Sequence, residues 1–317
     1  YFARDTSAGG LPVKQGVVVN LAAGTATDLW GNSDVLKGIE NVYGSYLADT
    51  ITLGTAVGST ARGSGGNDLI TASAEGATFY GGAGNDTLDG GAGFLGSSGA
   101  NADAANYRDE YDGGGNVLTG KGVNVNLVTG VATDNWGNTD TLIGIEFVTG
   151  SRYADQITGG NPANGNDTQT GFEGFDGQEG NDTIDGGIGI DRAQYTGAPA
   201  GIVGVLTNGT GMVQDGYGGT DTLISIEEIR GSAFSDKLTG SSTSLFESFE
   251  GRQGNDTIDG GGVSVGSNRA NYQTSPAAVN VALVNGSGTA SDGWSGTDTL
   301  LNINAVRGGT VADTIKA

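Results

Sequence analysis

Asp86 lies in Gly81-Gly82-Ala83-Gly84-Asn85-Asp86-Thr87-Leu88-Asp89, and the residue types around it suit the binding of a cation. Its carboxylate is a hard anionic oxygen donor. The glycines reach backbone conformations closed to residues with a Cβ, which lets main-chain carbonyls turn toward an ion. The arrangement returns in Gly177-Gln178-Glu179-Gly180-Asn181-Asp182-Thr183-Ile184-Asp185 and in Gly251-Arg252-Gln253-Gly254-Asn255-Asp256-Thr257-Ile258-Asp259. Each of these copies closes on a polar, apolar, polar triplet, the alternation of a strand that shows one side chain to a core.

The first copy follows G-G-x-G-x-D-x-U-x, with U a large apolar residue, and the other two are near-copies that replace the second glycine; through them the chain resembles the RTX proteins, the haemolysin-type family of calcium-binding nonapeptide repeats. The resemblance implies an all-β fold of parallel β-roll or solenoid modules stacked in tandem, with essentially no helix. It also implies two nonapeptides per coil and calcium ions shared between turns stacked on one side. Carried onto this sequence, the ligand aspartates are Asp68, Asp86, Asp182 and Asp256, with carbonyls from Gly63, Gly65, Gly81, Gly82, Gly84, Gly177, Gly180, Gly251 and Gly254. Calcium takes about six to eight oxygens at about 2.3–2.6 Å, more than one turn offers. A stacked turn must complete the shell.

The spacing agrees in part with such stacking. Asp68 to Asp86 is 18 residues, and Asp49 to Asp68 is 19, one coil with a single residue added. The frames Ala72 to Tyr80 and Gly90 to Ser98 carry no aspartate at the ligand position, so the first module is expected to hold calcium along one edge. Partner turns are expected to end at Asp49, Asp155, Asp236 and Asp313, in segments that depart from the glycine pattern. Asp236 to Asp256 is 20 residues, which requires a bulge of two. Asp155 to Asp182 is 27, which places them on opposite edges and returns Asp191 to the edge of Asp155. Asn164-Gly165-Asn166-Asp167 offers a further ligand turn at Asp167.

A longer repeat overlies the nonapeptides and aligns Trp30, Trp136, Tyr217 and Trp294, with spacings of 106, 81 and 77 residues. Two aspartates flank each aromatic: Asp28 and Asp34, Asp134 and Asp140, Asp215 and Asp221, Asp292 and Asp298. These are either further calcium ligands or acceptors of backbone N–H groups in Asx-turns. The aromatic is expected to cap the end of a rung, with sugar stacking as the alternative. Glu40, Glu146 and Glu227 recur, but the fourth copy has Asn304, so their common role is not catalytic. Module ends are marked by Asp103 to Tyr107, Asp191 to Tyr195 and Asn268 to Tyr272. The expected modules are 1–98, 99–194, 195–265 and 266–317, with the first and last cut from a longer array.

Composition supports this reading and excludes others. The 317 residues include 62 glycines, 4 prolines and no cysteine, and 36% are hydrophobic, which is neither collagen-like nor a disulfide scaffold. Lys and Arg number 14 against 36 Asp and Glu, a net charge of −22 that argues against nucleic acid or anionic membrane as a partner. No apolar run is long enough to span a membrane. Zero histidine and zero cysteine remove Ser-His-Asp and Cys-His catalysis and the usual zinc sites. A carboxylate pair for glycoside hydrolysis has no discriminating power among 36 acids.

The composition leads to the expectation of a non-enzymatic chain, and the RTX resemblance implies a secreted, calcium-dependent structural segment of a bacterial surface layer, adhesin stalk or matrix fibre. Its expected partners are copies of itself or neighbouring modules. The alternative is a polysaccharide-binding accessory module of a secreted enzyme, similar to the repeats that follow alginate epimerase or protease domains. Ice binding needs a regular threonine lattice, for which Thr87, Thr183 and Thr257 are too sparse.

Overall fold

A computed structural model describes residues 15–72, 76–91, 102–108, 121–160, 171–242, 246–262 and 267–316. The candidate ligand Asp167 and the expected module boundaries at 98/99 and 265/266 lie outside the described residues. Among those described there are 31 strands and no helix. The chain divides into two compact units, residues 1–174 and 175–317, and its strands belong to two large sheets.

Most strands are three residues long with a buried apolar centre, as the polar-apolar-polar triplets require: Thr50–Thr52, Thr87–Asp89, Thr183–Asp185 and Thr257–Asp259. A residue that small in reach cannot bury a face alone, so the centres stack. In the first unit Val19, Ile51, Ile70, Leu88 and Leu142 are register partners in successive parallel strands. In the second unit Leu238, Ile258 and Leu300 do the same, as do Ile184 and Leu223. The other sheet carries its own apolar columns. These are Val42, Ala61, Phe79, Ala105 and Val148 in the first unit and Ala193, Ile229, Phe249, Ala270 and Val306 in the second. Phe beside Ala in both columns alternates large with small, which lets a narrow core fill without voids. The two sheets of the second unit face each other across Gly204, where a Cβ would lie 3.2 Å from Ile229 and 3.3 Å from Leu238.

An all-parallel arrangement is the expectation, and the first sheet departs from it. Each copy of the long repeat forms a three-stranded antiparallel meander, for example Val203–Thr207, Thr210–Gln214 and Thr220–Ile224. The turn between the first two strands is Asn208-Gly209, with φ of 55° and 82°, and Asn285-Gly286 repeats it with 51° and 78°. Asn-Gly with both φ positive is the turn whose twist matches a two-residue hairpin. In the second, third and fourth meanders the third strand returns to parallel pairing, placing Leu142 on Leu88, Leu223 on Ile184 and Leu300 on Ile258.

Candidate metal centre

The glycine-rich turns have one backbone shape. Their second residue has positive φ in all four copies, Ser64 85°, Gly82 97°, Gln178 70° and Arg252 74°. The fourth does too, at 102°, 147°, 148° and 130° for Gly66, Gly84, Gly180 and Gly254. The second position tolerates a side chain because its φ is close to the left-handed well, whereas values near 147° are open to glycine alone. At the first position a different constraint applies. A Cβ on Gly63, Gly81, Gly177 or Gly251 would overlap the second carboxylate oxygen of Asp68, Asp86, Asp182 or Asp256, respectively. Glycine there makes room for the carboxylate.

The aspartates form ladders between turns. The Asp49 N–H donates to Asp68 Oδ1 at 2.8 Å, the Asp68 N–H to Asp86 Oδ1 at 2.8 Å and the Asp86 N–H to Asp140 Oδ1 at 3.0 Å. In the second unit the Asp236 N–H donates to Asp256 Oδ1 at 2.9 Å and the Asp256 N–H to Asp298 Oδ1 at 3.0 Å, while Asp182 and Asp221 form an equivalent pair at 3.0 Å. The preceding asparagine runs a bond the other way: Thr139, Thr220 and Thr297 N–H groups donate to the Oδ1 atoms of Asn85, Asn181 and Asn255 at 2.8–2.9 Å. Each Asn-Asp pair thus staples its turn reciprocally to the next. The 18-, 19- and 20-residue steps meet as expected, and Asp140, Asp221 and Asp298 join ladders across 54, 39 and 42 residues.

What distinguishes the aspartates is the second oxygen. At the turns ending in Asp49, Asp155 and Asp236, both oxygens are occupied. Ser45, Ser151 and Ser232 each donate their N–H to Oδ2 and their hydroxyl to Oδ1, and Val17, Val123 and Ile202 add an N–H to Oδ1. Asp313 keeps the pattern through the N–H groups of Gly309 and Val279. Asp140 and Asp298 receive the hydroxyls of Tyr107 and Tyr272 at 3.2 and 3.0 Å, so each of these two tyrosines has a partner in the meander that follows it. Asp34 is exposed. By contrast, Asp68, Asp86 and Asp256 are buried with no hydrogen bond to Oδ2.

Burial first, and neighbouring carboxylates next, push Asp68 up to about 9, Asp86 to about 7 and Asp256 to about 8, against the backbone N–H bonds that favour the anion. An ionised oxygen held there without a partner costs several kcal/mol. A proton or a cation removes the penalty. Among the described residues no three or more acidic side chains converge as a metal cluster, so an ion at these turns would draw most of its oxygens from main-chain carbonyls. The donor set, all oxygen, is that of a hard cation.

Other expected site residues have structural partners. The Gly65 N–H donates to the Ser45 carbonyl at 3.3 Å. The Asp191 N–H donates to Glu227 at 3.0 Å and the Asp103 N–H to Glu146 at 3.0 Å. In the fourth copy Asn268 and Asn304 make the same bond at 2.7 Å, which explains why the glutamate is replaceable. Asp155 and Asp182 fall in different units. Asp28, Asp134, Asp215 and Asp292 accept the N–H of the aromatic two residues on at 2.7–2.9 Å, an Asx-turn in every copy. No protein-family model matches the chain, and no curated protein matches it in sequence.

Proposed function

We propose that this chain is an RTX-type, calcium-stiffened β-roll segment of a secreted bacterial surface protein, with a structural rather than catalytic role. The supporting observation is the set of buried Asp68, Asp86 and Asp256 carboxylates, each with an unpartnered oxygen packed against a glycine-rich turn. Those aspartates and the turn carbonyls would hold calcium, whose charge relieves the buried anions and ties one turn to the next. Several such sites make folding depend on extracellular calcium, because binding to the folded state adds RT ln(1 + [L]/Kd) per site. Circular dichroism in chelator and in millimolar calcium tests this. The expected result in chelator is a weaker strand spectrum that melts at much lower temperature than in calcium, and a spectrum and melt unchanged in chelator refute the proposal.

One observation favours the second reading, a polysaccharide-binding module. Tyr43, Arg62 and Tyr80 are register partners on neighbouring strands, and the Arg62 guanidinium lies 3.4 Å from the Tyr80 ring centroid and 5.7 Å from that of Tyr43. Tyr43 is exposed. An aromatic surface with a basic centre suits an acidic sugar chain. Titration with an acidic polysaccharide tests it, with Arg62→Ala expected to abolish binding.

A further inference from the structure

The four Asx-turns around the aligned aromatic fall into two structural classes. In the first unit Asp28 and Asp134 are followed four residues later by Asn32 and Asn138. Each asparagine donates its N–H to Oδ1 at 2.7 Å and its side-chain amide to Oδ2, at 2.9 and 3.0 Å. Both carboxylate oxygens are therefore satisfied within the turn. In the second unit the same position is Gly219 or Gly296. Asp215 Oδ1 accepts the N–H groups of Tyr217, Gly218 and Gly219 at 2.8–2.9 Å, and Asp292 Oδ1 those of Trp294 and Gly296 at 2.7 and 2.9 Å. Oδ2 of both has no hydrogen bond, and both residues are 0% exposed.

The missing side chain is replaced by a carbonyl from the neighbouring nonapeptide turn. A Cβ on Gly219 would lie 2.7 Å from Asp215 Oδ2 and closer still to the Gly180 carbonyl oxygen. On Gly296 it would lie 2.5 Å from Asp292 Oδ2 and closer still to that of Gly254. A buried carboxylate oxygen and a carbonyl oxygen thus face the same bare side of one glycine in each turn, and both are acceptors. Asp221 interacts with Asp215, and Asp256 and Asp298 with Asp292, bringing further carboxylates whose ionisation burial resists until a cation offsets it. A water could donate to two acceptors but leaves this charge uncompensated. A hard divalent cation answers both needs.

We propose that Asp215 with the Gly180 carbonyl, and Asp292 with the Gly254 carbonyl, form a second kind of divalent-cation site, present in the second unit and closed in the first by Asn32 and Asn138. This rests on the calcium reading above and extends it to residues outside the nonapeptide. The test is calcium stoichiometry of the full chain by equilibrium dialysis. Asp215→Asn and Asp292→Asn keep the Oδ1 acceptor and remove the charge, and each is expected to bind one ion fewer. They lie in different hairpins, so one serves if the other fails to give the wild-type circular dichroism in calcium. Asp134→Asn is the control and should leave the count unchanged, while Asp256→Asn reports on the nonapeptide site. If Asp256→Asn loses an ion and neither Asp215→Asn nor Asp292→Asn does, the second site is overturned while the calcium reading stands. Loss of an ion in Asp134→Asn overturns the two-class distinction, and a wild-type chain that binds no calcium overturns both proposals.

Discussion

At the residue scale, aspartates that look alike in sequence separate by the fate of one oxygen. Asp86→Asn and Asp256→Asn keep the ladder acceptor and remove the charge, so each is expected to raise the calcium midpoint of folding severalfold. Asp89→Ala should change it little, since Asp89 only accepts the Gly91 N–H at an exposed turn. Equal midpoints in a calcium titration of all three would place the ligands elsewhere. The pH dependence follows from the same burial. Asp68, Asp86 and Asp256 are held at about 9, 7 and 8 in the folded chain, above the ordinary 3.8 of the unfolded one. Between about pH 4 and those values the folded state holds more protons, so stability falls as pH rises. In chelator the chain should melt higher at pH 5 than at pH 8, and saturating calcium should remove that trend because the ion needs the ionised form. A chelated melt that rises with pH contradicts the burial of these groups.

At the element scale, strands of three residues owe their persistence to what happens between them. The reciprocal bonds of Asn85-Asp86 with Thr139-Asp140 join elements whose ladders contribute only a few bonds each. Asn85→Ala removes the acceptor for the Thr139 N–H, and the expected loss is about 1 kcal/mol. Calcium affinity should be preserved, because Asn85 donates no carboxylate. Chemical denaturation at saturating calcium checks this, and an unchanged midpoint would show that the bond has no net value. The buried ion pairs of the second unit perform a similar stapling on its other sheet: Arg192 and Arg269 share Glu228, while Arg230 pairs with Glu250 at 2.7 Å.

At the scale of the whole molecule, a charge of −22 opposes both compaction and association until cations reduce it. Strands Ser33–Val35 and Thr314–Lys316 are exposed at all three residues, and exposed strands pair with other chains unless repulsion prevents it. Millimolar calcium is therefore expected to shift the chain from monomer to larger assemblies. Light scattering across a calcium titration reads this directly, and a monomer at every concentration that supports folding would refute it.

The sequence by itself determined what is local. The polar-apolar-polar triplets became strands with buried centres, and the glycines of the nonapeptide became the positive-φ positions of its turn, because strand period and backbone sterics act over a few residues. The antiparallel meanders were legible only at Asn208-Gly209 and Asn285-Gly286, where a turn dictates its own hairpin. The tertiary structure decided which carboxylate oxygens are satisfied. Tyr107 reaches Asp140 across 33 residues, and the Asp86 N–H reaches the same carboxylate across 54. Even where the deciding contact is local, as between Asn138 and Asp134, its meaning depends on the Gly180 and Gly254 carbonyls that take its place in the other hairpins. Spacing can nominate an aspartate, but a hydrogen bond from a distant turn determines whether it has charge left to offer an ion.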